Sequence, residues 1–346
     1  MRAAAFAASF ALVAVAGTAV AHHSFFGRFD TQKLVELEGE VTDVLWHNPH
    51  AYFSLRVDGV VWEVETSSLT VLTRMGIEPG TIRVGDRVRV AGNRSVGAKQ
   101  EFYARHVLLP DGRELLLNVG LQPRWTDRER AAGDDSLLMA KEGDPSVPKL
   151  GIFRVWSHTR AIPRLLPEAT DPTFDVNSYP LTPAARAQLA AFDRATDNPT
   201  VNCVPKGMPT IMEAPYPIEF VRQEGGHILL KLEEYDLERH IYMDGPNVTR
   251  ELPQPSPLGF SLGRWDGTAL VVTTTRINWP FFSQLGIRQS SAVAIEEHFT
   301  PTADGSRLDY EMTVTDAATF TRPVVLRQHW LWLPSVTLLP YQCTVR

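Results

Sequence analysis

The residues whose types and spacing are best suited to chemistry stand near the start of the chain, in His22-His23-Ser24-Phe25 and His47-Asn48-Pro49-His50. Met1-Arg2 is a short basic segment, Ala3 to Gly17 is a run of small and apolar residues, and Ala19-Val20-Ala21 fits the A-x-A rule for signal-peptide cleavage. Cutting after Ala21 would make His22 the first residue of the mature protein. An N-terminal histidine offers a metal both its α-amine and its ring. A third nitrogen from another histidine completes the arrangement called a histidine brace, and copper suits such a site best, although imidazole also binds zinc, nickel and iron. The expected ligands are His22, with His23 beside it, and His50 or His47 from a turn that a proline stiffens. H-x-x-H is equally compatible with an ordinary solvated turn. His106 reads as a satisfied strand residue.

A second group lies in Glu233-Glu234-Tyr235, Arg239-His240 and Glu296-Glu297-His298. Strand alternation puts Glu234 on the face of Leu230 and Leu232. A buried carboxylate needs a partner, and Arg239 across the hairpin is the expected one. The plain reading is a structural ion pair that sets strand register. With His240 or His298 facing inward, the set Glu234, Arg239, His240 and His298 becomes a catalytic or ligand-orienting cluster. Trp265, Asn278, Trp279 and Phe282 are the expected ligand contacts. Asn278-Trp279-Pro280-Phe281-Phe282 places apolar residues in a loop, as a lid or a partner patch would.

These residues are carried by strand-like segments. Residues 35–46, 51–57, 60–66, 87–93 and 102–109 read as five strands with a short helix at 68–75 after the third, the order of an OB-type barrel. Asp58-Gly59 makes a hairpin turn. Residues 113–216 read as a proline-rich connection, with a helix started by Thr182-Pro183 and a strand near 151–156. From 217 to 346 eight strands follow, with Gly225-Gly226, Asp244-Gly245, Asp266-Gly267 and Asp304-Gly305 between them. Tight turns favour an up-and-down antiparallel barrel, which often holds one small ligand. The expected fold is all-β. Its parts are a signal peptide at 1–21, an OB-like five-stranded barrel at 22–112, the connection, and a lipocalin-like barrel at 217–346.

The leader implies export, to a periplasmic or secreted location, and no later segment is long enough to span a membrane. A formal charge of −6 without a concentrated basic tract argues against nucleic acid as the main partner. Cys203 and Cys343, an even pair in an oxidising compartment, read as one disulfide. Nothing matches a phosphate loop, a dinucleotide fingerprint, a G-x-S-x-G elbow or H-E-x-x-H.

His22-His23-Ser24-Phe25, Gly39-Glu40-Val41 and Trp46-His47-Asn48-Pro49-His50-Ala51, in this order, resemble an uncharacterised family of exported bacterial proteins. Its members begin His-His-Ser-Phe after the signal and carry Trp-x-Asn-Pro-His in a small β domain. The resemblance covers about residues 22–112 and brings no established activity. It implies that His22, His23 and His50 match the motif while His47 occupies its variable position, which makes His50 the preferred partner of His22. Residues 233–245 and 263–272 are similar to a second exported module of unknown role, whose strand pattern resembles the lipocalin-like superfamily.

Three readings follow. The first is an exported protein that binds copper and a small hydrophobic molecule. The second is a periplasmic enzyme acting on a hydrophobic metabolite, through the Glu/Arg/His cluster or the copper. The third is an envelope interaction module without a site. Ligand identity and oligomeric state are not set by the sequence.

Overall fold

The computed structural model describes residues 28–30, 32–97, 99–118, 121–126, 150–157, 166–167, 178–193, 197, 203–214, 216–243, 253–334 and 336–344. The expected leader, His22 and His23 lie outside these residues.

The first sheet is built from β1 (Val35–Leu45), β2 (Tyr52–Val57), β3 (Val60–Glu65), β4 (Arg87–Arg94), β5 (Glu101–Leu108) and β6 (Glu114–Leu116), with helix α1 (Leu69–Arg74) after β3. The order is β3-β2-β1-β4-β5-β6, and a parallel β3–β5 pairing closes five of the strands into a barrel. Alternation explains which face is filled: Val41, Leu55, Val64, Val90 and Phe102 are wholly buried. Ser68 caps α1 by accepting from the Val71 N–H, and Leu72 turns into the core. Asp58 and Gly59 both have positive φ, as the two-residue hairpin between β2 and β3 requires. At Gly92 any β-carbon would collide with the Tyr103 carbonyl, so glycine is what lets β4 press against β5, which is bulged at Arg105.

The second sheet contains β7 (Val155–Trp156), β8 (Leu166–Pro167), β9 (Ile218–Arg222), β10 (Ile228–Leu232), β11 (Leu237–Met243), β12 (Phe260–Asp266), β13 (Ala269–Thr275), β14 (Ala294–Pro301), β15 (Arg307–Thr315) and β16 (Val324–Leu331). Its order is β7-β9-β10-β11-β12-β13-β14-β15-β16-β8. Nine of these strands form a nearly closed barrel. Ser157, just past β7, exchanges backbone hydrogen bonds of 2.9 and 2.7 Å with Leu331 of β16 across the gap. Helix α2 (Pro183–Ala190) starts as the sequence predicts, with the Thr182 hydroxyl accepting from Ala185 N–H at 3.2 Å and proline in the first turn.

Two expectations are corrected. β11 and β12 run parallel, paired at only three positions, so no tight turn at Asp244-Gly245 joins them; residues 244–252 lie outside the described residues. The barrel interior is also occupied by its own side chains. Phe220, Phe299, Tyr310 and Trp330 pack ring on ring at centroid distances of 5.1, 4.7 and 5.1 Å along the series. These large aromatics, from β9 and from the consecutive strands β14, β15 and β16, fill the space that an open cup would have left for a ligand.

The two barrels meet through charge and backbone. Arg74 of α1 forks onto buried Glu233, and its guanidinium also donates to the Thr337 carbonyl at 2.9 Å. The C-terminal strand-like tail pairs with the His47–His50 loop: Asn48 N–H donates to Gln342 and Thr344 N–H donates to Asn48. Cys203 and Cys343 are disulfide-bonded, which anchors that tail.

Candidate functional site

A cavity of about 650 Å³ opens in the barrel wall beside β11. This is within the range of roughly 300–1,000 Å³ typical of small-molecule sites. It exists because β11 and β12 pair only from Ile241 to Met243 and from Ser261 to Gly263. Ahead of that contact, residues 253–259 take the place of a paired strand, and Val204–Lys206 and Asn278–Trp279 complete the wall. Leu237, Tyr242, Leu258, Phe260 and Trp279 provide the apolar lining. Trp279 is held by its indole N–H donating to the Thr210 hydroxyl at 2.9 Å.

Of the residues singled out from sequence, Arg239, His240, Asn278 and Trp279 come together at this cavity. The others do not. Glu234 is not paired with Arg239: it accepts from the Lys206 ammonium at 2.7 and 3.0 Å. β10 ends at Leu232, before alternation could carry Glu234 inward. Tyr235 and Asp236 adopt left-handed backbone, and Glu233 and Asp236 accept the backbone N–H groups of Leu339 and Tyr341. These acids fasten the C-terminal tail instead of extending the strand.

Arg239 is paired with Glu297 in the wholly buried interior. Its guanidinium reaches Ser261 at 3.0 Å and Thr274 at 2.7 Å on the way, and the Tyr310 hydroxyl donates to Glu297 at 2.8 Å. A polar belt therefore crosses five successive strands, β11 to β15. Burial by itself would lower the pKa of the guanidinium, but the Glu297 carboxylate outweighs it and the net direction is upward. His240 is exposed on the opposite face of β11. His298 also turns outward and contacts Glu296 at 3.1 Å. The expected cluster of Glu234, Arg239, His240 and His298 thus does not converge. Trp265 is 44% exposed and packs on Phe153, and Phe282 is buried between Tyr179 and Phe320. The Asn278–Phe282 loop is an internal plug, not a lid, because three of its aromatics have core partners to bury against.

Sequence reasoning missed Lys206 and Glu213, and it named Glu297 without pairing it with Arg239. Glu297 shares a face with Ile295 and Phe299 in β14, so alternation does mark it; Lys206 sits where no periodicity exists. Glu213, in the short turn before β9, has its carboxyl pushed up to about 7 by burial, against the downward pull of Lys206. A raised folded-state value means that the folded protein holds this proton better than the unfolded chain. Its stabilising contribution is full below about pH 4.5 and is lost as pH rises to about 7. Glu213→Gln should therefore unfold at higher denaturant concentration than wild type at pH 8, with the two curves converging at pH 4.

The histidine loop presents a separate arrangement. His50 Nδ1 lies 2.7 Å from the Thr66 carbonyl oxygen and His47 Nδ1 lies 2.9 Å from that of Asn48. A carbonyl only accepts, so each Nδ1 carries a proton, and in the neutral ring Nε2 is the bare nitrogen. Glu65 Oε1 is 3.3 Å from His50 Nδ1, while Arg28 holds Glu65 at 2.6 Å and Glu101 at 3.2 Å. Burial pushes the Glu65 carboxyl up, although His50 and Arg28 oppose it. Asn48 is 1% exposed and both polar atoms of its side chain lack hydrogen-bond partners among the described residues. Among the described residues no group of three or more His, Cys, Asp or Glu is arranged to hold a metal ion. His106 donates its Nδ1–H to buried Glu114 at 2.8 Å, and Glu114 also caps the N–H groups of Arg124 and Trp125, a structural role.

Residues 9–101 match a family of unknown function (DUF6152), a stretch that contains both the His22-His23 pair and the His47–His50 loop. No curated protein matches the chain. Among the described residues no helix is long and apolar enough to cross a membrane.

Proposed function

We propose that this chain is an exported binding protein, periplasmic or secreted, whose second barrel takes a small, largely apolar molecule in the wall cavity. The observation that carries this reading is the cavity of about 650 Å³ with its apolar lining and its two buried cations, Lys206 and Arg239, already paired. Pre-paired cations keep the lining fixed without demanding a charged ligand. Nile red, a neutral apolar dye, should bind with blue-shifted emission at one site per chain. Leu258→Trp, which fills the cavity from its partly exposed rim, should abolish that signal while leaving the melting temperature near wild type; unchanged dye binding by this variant would sink the proposal.

A specific arrangement favours a second site, for copper. A histidine that binds a metal through one nitrogen usually donates the other ring N–H to a carbonyl or carboxylate, and His50 has this environment at Nδ1. Arg28 is six positions beyond His22, a reach of at most roughly 20 Å, and its guanidinium is tied to the carboxylate beside His50. His22, through amine and ring, and His50, through Nε2, would hold the ion. When bound, copper supplies Lewis acidity or one-electron chemistry. Protein beginning at His22 should take up one Cu(II) with a nitrogen-rich paramagnetic resonance spectrum. His50→Ala, or one extra residue ahead of His22, should lose it; retention of that spectrum in both would rule the site out.

A further inference from the structure

We infer that the wall cavity receives a short peptide segment in extended conformation, laid as an added strand along the open edge of β11. This rests on the cavity being a ligand site and names the class of ligand. β11 is paired with β10 from Leu237 to Ile241. On its other side it meets β12 only from Ile241 onward, so the edge from Leu237 to His240 faces the cavity. In a strand every second residue directs its N–H and C=O to a given side. Outside the strand ladders, the backbone of these four residues makes no hydrogen bond within the described residues. An unpaired edge of this kind is a template for one more strand. Four residues span about 13 Å, room for a peptide of three or four residues.

The walls fit such an occupant. Alternate side chains of a strand point to opposite faces, and Leu237, Leu258, Phe260 and Trp279 offer apolar surface to them. Charge narrows the class further. Lys206 is neutralised by Glu234 and Arg239 by Glu297, whereas Glu238, exposed at the rim, has no ion pair among the described residues. The lining therefore carries one uncompensated negative charge and suits an apolar peptide with a lysine or a free amino group, not a fatty acid or another anion.

The test is displacement of Nile red from the mature protein by acetyl-Val-Leu-Val-Lys-amide and by two versions N-methylated at alternate amides. The unmodified peptide should displace the dye. At least one methylated version should be tenfold or more weaker, because it cannot donate to the edge. Glu238→Gln should weaken the lysine peptide about threefold, measured against the dye affinity of the same variant. Dye binding that no peptide reverses, or equal displacement by all three peptides, would overturn strand addition and leave the apolar cavity standing. Failure of the dye itself to bind would remove both.

Discussion

Glu297→Ala should lower the unfolding free energy by about 3–5 kcal/mol, the usual consequence of leaving a buried charge without its partner. Arg239 and Glu297 are both essentially inaccessible to water. Tyr310, Thr274 and Ser261 would each lose part of a mutually oriented network. Guanidinium unfolding followed by tryptophan emission reads the effect, since Trp330 packs on Tyr310. The paired replacement Arg239→Met with Glu297→Leu should recover most of the loss, because the desolvation cost of both ions disappears with them. A single variant within 1 kcal/mol of wild type would show that water reaches the pair.

Replacing both cysteines with serine should cost about 5 kcal/mol in the chain-entropy account, because the bond spans 140 positions of sequence. The tail has other attachments: Glu233 and Asp236 accept its N–H groups, and Arg74 holds the Thr337 carbonyl. The loss should thus appear first as proteolysis near residues 336–344 and then as a lower melting temperature. The same loss on adding a reductant to wild type, with no further change on reducing the serine variant, would identify the bond as its source. The tail pairs with Asn48, so the copper uptake proposed for His22 and His50 is expected to weaken in the serine variant as well.

Much of the scaffold was legible because strands announce themselves locally. Alternating apolar residues, Asp-Gly turns and the Thr182-Pro183 helix start each act within a few positions, and the two barrels carry the expected strands. The parallel β11–β12 contact was not legible, since strand direction depends on the path of residues 244–258 and not on the pattern of either strand. For the same reason the cavity could not be foreseen. It is a gap between strands that part company, and its wall is drawn from residues 204–206, 237–242, 253–260 and 278–279.

Charge pairing divides in the same way. That a buried Arg239 must have a carboxylate follows from electrostatics alone. Which one it has follows from strand order: Glu297 faces inward from three strands away, whereas Glu234 belongs to a left-handed turn that hands it to Lys206.

By itself the amino-acid sequence determined the strand content, the hairpin turns other than that expected at Asp244-Gly245, the helix caps and the pairing of its two cysteines, all of which follow from short-range sterics, alternation or the arithmetic of two thiols. Only the tertiary structure decided which acids meet which bases, that the barrel core is filled with aromatics, and that a cavity opens at β11. Those outcomes depend on contacts between segments far apart in the chain, where no local rule operates.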